Sequence, residues 1–322
     1  MFFSKIVGIG GSLPNTQVTN ADLEKRLETT DEWIKTRVGI SSRHILEQDK
    51  NPSSLALEAS LKAIKQAGWD VKDVDAIFFA TCTSEKILPS MATFLQRDLG
   101  AKKGFAFDIN AACAGFVYAL ATADAFLKTG QATKALVVGC DVMSRIVDWN
   151  DRGTAVIFAD GAGVLALEKT PDESECGVLS THIFSDGAYC DLLYTTGGAG
   201  SVVTDNKAHI VMHGAEVMKH AVEKIGASVV KALEHNNLTH ADINWFVPHQ
   251  ANKRIIDNLS RRFHLPEEKV VVTIDHHGNT SAASIPLALA QAVEDGRIQK
   301  GHKIIIEALG AGFTWGSALL KW

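Results

Sequence analysis

Apolar residues fall in short dense blocks along this chain, and the blocks recur in two similar series. In the first, segments 5–11 (KIVGIGG), 75–83 (DAIFFATCT), 104–110 (GFAFDIN), 134–142 (KALVVGCDV) and 154–169 (TAVIFADGAGVLALEK) read as strands. In the second, CGVLSTHIF, INWFVPH, KVVVTID, HKIIIEALGAG and FTWGSALLKW read the same way. Helical periodicity fills the gaps in matching order: residues 53–67 precede the second strand of the first series, and residues 213–236 precede its counterpart. Near-continuous apolar strands need cover on both faces, which predicts stacked α/β layers. The two series predict two pseudo-duplicated halves, 1–172 and 173–322, that share a plan without a clear repeat of sequence.

Composition narrows the class. A chain of 322 residues, 46% apolar and 21% charged, can bury a large core. Its net charge of −5 gives no global reason to bind nucleic acid or anionic lipid. No stretch reaches the roughly 20 apolar residues that span a bilayer, and MFFSKIVGIGGSLP lacks the apolar core of a signal peptide, so a cytoplasmic location and no membrane partner are expected. Five cysteines without CxxC spacing argue against a disulfide framework and against structural zinc. His209 with His213, and the pair His276–His277, lack further ligands at metal-like spacing, so no metal is expected. GIGGS near residue 8 never completes a dinucleotide loop before Pro14, and no nicotinamide site is expected.

Three residues stand out as candidate chemistry. DINAACAGF (108–116) carries Cys113 from a strand onto an Ala/Gly-rich turn that opens a helix over 114–127. Free N–H groups and the positive end of the helix dipole favour the thiolate there. The other cysteines, Cys82, Cys140, Cys176 and Cys190, read as small buried apolar groups. His249 follows INWFVP and Asn279 follows VVVTI, both at expected strand exits, where residues distant in sequence converge in layered α/β folds. In the duplicated plan Cys113 and Asn279 take equivalent posts, AACAGFVYALATA beside GNTSAASIPLALA, which predicts that they meet. A Cys-His-Asn set also suits a thiol hydrolase, although the CGSCW-like context of papain-like proteases is missing. A binding protein on the same scaffold is a third reading.

Six segments together resemble the β-ketoacyl-acyl carrier protein synthase III enzymes of the thiolase superfamily: 20–40, 108–124, 151–163, 247–256, 275–284 and 310–319. The resemblance spans essentially the whole chain and implies a thiolase-like layered αβαβα fold. It implies that Cys113 takes an acyl group from an acyl-coenzyme A primer, by default acetyl-coenzyme A, and that the acyl-enzyme condenses with malonyl-acyl carrier protein. Coenzyme A thioester is then a substrate, and no cofactor is needed. Backbone amides of Cys113 and Ala311 would hold the tetrahedral oxyanion, while His249 and Asn279 would donate to the enolate. Elongating relatives carry a second His where Asn279 stands, which favours the initiating class. Gly310-Ala311-Gly312-Phe313 departs from the usual Gly-Gly-Gly-Phe, and the extra methyl requires Ala311 to keep negative φ. Branched or longer primers, and specialised-metabolite pathways, are handled by similar enzymes.

Thr29-Thr-Asp-Glu32 reads as a capping box, with Trp33 and Arg37 on one helix face, which by itself reads as a core-anchored Trp beside a surface Arg; the resemblance implies that the pair grips the adenine of coenzyme A. The resemblance adds Arg152 at the nucleotide end of coenzyme A, Asn252 on the pantetheine arm, and Leu88 as the cap that a partner subunit places over the acyl pocket of a homodimer. Lys253, Arg254, Arg261 and Arg262, with Lys219 nearby, form a positive helix face suited to an acidic carrier protein.

Overall fold

The computed structural model describes residues 2–198 and 208–322. Nine strands form two sheets that follow one plan. The first holds β1 (Phe3–Ser12), β2 (Ala76–Ala80), β3 (Phe105–Ile109), β4 (Lys134–Val142) and β5 (Asp160–Thr170), in the order β1-β5-β4-β2-β3. The second holds β6 (Val178–Ser185), β7 (Trp245–Pro248), β8 (Lys303–Gly310) and β9 (Thr314–Lys321), in the order β6-β9-β8-β7. Directions match as well: the first two pairings of each sheet are antiparallel, and β4-β2 and β8-β7 are parallel.

Helices α1 (Asp31–Val38), α2 (Pro52–Ala67), α3 (Met91–Leu99), α4 (Gly115–Lys128), α5 (Gly214–His235), α6 (Lys253–Arg262) and α7 (Ser284–Glu294) supply the remaining layers. The central helices α4 and α7 lie between the sheets, where Phe116, Val117, Leu120, Ile285 and Leu289 form one core with Phe78, Val137, Ile304 and Ile306. Their Ala-rich faces let both sheets approach closely. A second core packs α2 and α3 on the outer face of the first sheet, and a third packs α1, α5 and α6 on the outer face of the second. The result is the thiolase-like αβαβα stack. Each fully buried Phe or Leu contributes about 1.5–3 kcal/mol to it.

Three local expectations are corrected. Segment 154–169 is not one strand, because Asp151 caps a helical turn over Arg152–Ala155 by accepting from the Gly153 amide at 2.8 Å and the Thr154 hydroxyl at 2.6 Å. The strand proper starts at Asp160. Segment KVVVTID, read as a fifth strand of the second half, keeps a single parallel bridge, Val270 to Phe246. One side chain takes three more of its backbone groups: Gln250 Oε1 accepts from Thr273 N–H (2.8 Å) and Ile274 N–H (3.1 Å), and Gln250 Nε2 donates to Val271 O (3.1 Å). The cap of α1 is Thr30, whose hydroxyl accepts from Trp33 N–H at 3.1 Å, and the Thr29–Glu32 box does not form.

Candidate active site

The turn that carries Cys113 is built like the turn that carries Asn279. Asn110 Oδ1 accepts from Ala112 N–H at 3.3 Å, and Asn279 Oδ1 accepts from Ser281 N–H at 2.9 Å. Ala112 and Ser281 both hold left-handed backbone, with φ of 46° and 51°. A short 3-10 turn follows each, Ala112–Ala114 and Ser281–Ala283, and α4 or α7 begins at the next residue. The exact counterpart of Asn279 is therefore Asn110, and that of Cys113 is Ala282. The equivalence expected between Cys113 and Asn279 holds for the turns and shifts by a few residues within them.

Each turn rests on the other half's sheet. A Cβ on Gly310, the last residue of β8, would lie 2.7 Å from Cys113 N and 2.8 Å from Ala111 O, so only glycine admits the Cys113 turn. A Cβ on Gly139 of β4 would lie 2.3 Å from Ala282 O. This crossed seating brings the two turns face to face between the sheets. His249 joins them from the end of β7, where its N–H donates to Glu307 O of the adjacent β8 at 2.8 Å.

Two serines, Ser281 in the turn and Ser284 at the start of α7, knit the three residues together. The Ser281 hydroxyl acts on the Cys113 thiol in favour of its charged form, while its backbone N–H donates to Asn279 Oδ1. Ser284 Oγ lies 2.6 Å from His249 Nδ1 and accepts from Gln250 N–H at 3.3 Å. In the tautomer where Ser284 donates its proton to Nδ1, the remaining imidazole proton sits on Nε2. Asn279 spends its carbonyl oxygen within its own turn, which leaves the donor end of the amide for a ligand.

Electrostatics at the site are dominated by burial. Desolvation pushes the Cys113 thiol up to about 11, with the Ser281 hydroxyl opposing and the Asp141 charge adding to the rise. The expectation of a lowered thiol pKa is thus corrected, because burial of the sulfur outweighs the favourable effect of the Ser281 hydroxyl. Burial likewise pushes His249 down to about 3, so its imidazole is neutral at any working pH. Ala311 is not among the residues with positive φ, as its methyl group requires.

Other expected contacts divide. Trp33 is half-buried, and the guanidinium over its ring at 4.6 Å belongs to Arg152 rather than to Arg37. Arg152 also donates to Glu28 O at 2.8 Å. The i,i+4 spacing placed Arg37 on the right helix, yet it is exposed and meets the site only through its carbonyl, which accepts from Asn252 Nδ2 at 3.3 Å. Asn252 also caps α6. Leu88 is 82% exposed beside Ile87 at 77%. On the basic face, Lys253 pairs with Asp257 and Lys219 with Glu216, Arg262 lies across Gly226 of α5, and Arg254 and Arg261 are exposed. Among the described residues no cluster of His, Cys, Asp and Glu has the makings of a metal site, and no helix is long and apolar enough to cross a membrane.

Sequence reasoning missed Cys82 and Asp141. Cys82 was expected to be an inert buried thiol. It is half-buried, with Sγ 3.4 Å from Asp141 Oδ1 and 4.0 Å from Ser281 Oγ. Cys190 is exposed, its thiol donating to Gly312 O at 3.2 Å. Only the fold could reveal these neighbours, since Cys82, Asp141 and Ser281 come from three separate segments.

The architecture and the buried Cys-His-Asn cluster define a thiolase-like α/β protein. Residues 107–187 match the family described as 3-oxoacyl-[acyl-carrier-protein] synthase III, and residues 233–322 match its C-terminal family. The chain is 51% identical over 321 residues to the β-ketoacyl-[acyl-carrier-protein] synthase III of Rhodospirillum centenum, covering 99% of both chains. Among solved structures, it is similar to 3-oxoacyl-[acyl-carrier-protein] synthase III from Aquifex aeolicus VF5, with a TM-score of 0.93 at 40% identity and coverage of 99% and 100%. It is also similar to the priming β-ketosynthase of the R1128 polyketide pathway, with a TM-score of 0.94 at 33% identity and coverage of 99% and 96%. The chain belongs to the β-ketoacyl-[acyl-carrier-protein] synthase III family.

Proposed function

We propose that this chain is an acyltransferase that joins an acyl-coenzyme A primer, acetyl-coenzyme A by default, to malonyl-acyl carrier protein, releasing CO2 and coenzyme A and starting fatty acid chains. Full-length similarity to synthase III relatives carries the reading. In the first half-reaction the Cys113 sulfur attacks the primer thioester carbon. Its proton is lost, and the departing coenzyme A thiolate takes one up, so the step balances. The amides of Cys113 and Ala311 hold the tetrahedral oxyanion. In the second, the C–CO2 bond of the malonyl group breaks, and the electron pair passes to an enolate held by His249 Nε2–H and the Asn279 amide. The neutrality of His249 supports that role, because a neutral donor stabilises the enolate without protonating it. The carbanion then attacks the acyl-Cys113 carbonyl and releases the Cys113 thiolate.

Trp33, Arg152, Arg37 and Asn252 would hold coenzyme A, Arg254 and Arg261 would lead the docking of the carrier protein, and Leu88 would cap the pocket of a homodimeric partner. A cytoplasmic enzyme fits these substrates. The R1128 relative keeps a specialised-metabolite primer in view. The test supplies labelled acetyl-coenzyme A and then malonyl-acyl carrier protein. Stable label on Cys113, followed by CO2 and 3-oxoacyl product, is expected. Label that is only hydrolysed would mark a thiol hydrolase, and no label would mark a binding protein. Cys113→Ala should lose acylation and keep malonyl decarboxylation, whereas His249→Ala and Asn279→Ala should do the reverse. Complete loss of acylation in Asn279→Ala would overturn these assignments.

A further inference from the structure

Asp141, at the end of β4, is fully buried, and among the described residues no cation is one of its donors. Its Oδ1 accepts from the Thr81 hydroxyl at 3.0 Å, the Thr83 hydroxyl at 2.9 Å and Cys82 N–H at 2.8 Å, with the Cys82 thiol at 3.4 Å. Its Oδ2 accepts from Ala282 N–H at 3.1 Å. Ala282 is the counterpart of Cys113 in the duplicated turns, so the carboxylate sits on the amide that corresponds to the Cys113 amide. One half offers that amide at the nucleophile, and the other has filled it with a side chain of the protein. Buried polar groups that join several segments in this way set geometry more than they add net stability.

We propose that Asp141 is a positioning residue: its carboxylate locks the turn 279–282 to the 81–83 loop, and so holds the Asn279 amide and the Ser281 hydroxyl in register with Cys113. The proposal rests on the reading that Asn279 serves malonyl decarboxylation. Both turn residues depend on this lock, because Ser281 adopts left-handed backbone and precedes the amide that Asp141 anchors. The Cys113 turn has a separate seat on Gly310, so acyl transfer should depend on Asp141 far less. The charged or titratable groups around Cys113 are Asp141 from β4, Cys82 from the loop after β2, and the neutral His249 after β7. Glu307 of β8 alternates onto the outer face with Ile305 and Leu309, while Cys140 and Asp160 lie behind Asp141 in its own sheet.

The experiment measures both half-reactions in the full chain, together with the pH dependence of iodoacetamide alkylation read on the Cys113 peptide. Asp141→Asn should leave acylation within about threefold and lower decarboxylation at least tenfold. It should also shift Cys113 alkylation to lower pH, because removing a nearby negative charge favours the thiolate. Thr81→Val keeps the charge and loosens the lock, so decarboxylation should fall several-fold with the alkylation profile unmoved. Parallel loss of both half-reactions, no loss of either, or an unmoved profile in Asp141→Asn would overturn the proposal. If Asp141→Asn does not fold, Thr81→Val decides: selective loss of decarboxylation supports the lock, and any other result overturns it. A wild-type protein with neither half-reaction would overturn the functional reading as well, whereas an active wild type with unselective variants overturns the positioning role alone.

Discussion

At the residue scale, the site pairs a thiol that burial keeps protonated with an imidazole that burial keeps neutral. Cys113 stood out in the sequence because small residues and an expected helix start surrounded it. The opposing desolvation was invisible there, since it arises from segments distant in sequence closing over the sulfur. The folded thiol at about 11, against an ordinary 9.0, favours the protonated form. It therefore stabilises the folded state below about pH 9, and that contribution is lost as pH climbs towards 11. Alkylation of Cys113 should accordingly rise about tenfold per pH unit through pH 9 and level off only near pH 11. A plateau near pH 7, read by mass spectrometry of the Cys113 peptide, would contradict this picture of the resting thiol.

At the element scale, the two strand series were readable because most sheet strands are apolar and buried along nearly their whole length. The misread segments were apolar for other reasons. VVVTI looks like a strand, yet Gln250 satisfies its backbone, and TAVIF sits in the core as a turn under the Asp151 cap. Periodicity reports burial, and it cannot say which hydrogen bonds a buried backbone will make. The crossed seating of the Cys113 turn on β8 makes a sharper claim. Gly310→Ala should cost about 1–3 kcal/mol through overpacking and reduce both half-reactions, because its methyl would strike the Cys113 turn. Gly214→Ala, at the start of α5 with its nearest neighbour 3.8 Å away, should leave stability and both rates near wild type. Thermal melts alongside the two assays check the contrast.

At the scale of the whole molecule, the surfaces that matter are an edge and a face. Strand β3 ends the first sheet with Phe105, Phe107 and Ile109 half-buried, and Ile87 and Leu88 stand exposed in the loop after β2. An uncovered apolar edge of this kind suits the proposed homodimer. Sedimentation should give a dimer, and Leu88→Phe should narrow the primer profile towards acetyl-coenzyme A, since each methylene of pocket depth is worth about 0.8 kcal/mol. A monomer, or an unchanged profile, would count against the capping role. On the opposite account, Arg254→Glu and Arg261→Glu should raise KM for malonyl-acyl carrier protein more at low salt than at high salt, and barely alter acylation. Equal effects on both substrates would point to a folding defect. The crossed turns also bear on how such a chain can diverge. Because each half's sheet supplies the floor beneath the other half's turn, the copies cannot drift apart freely after duplication. A glycine lost from one is felt in the chemistry of the other, so the two halves must be inherited as a single unit of selection.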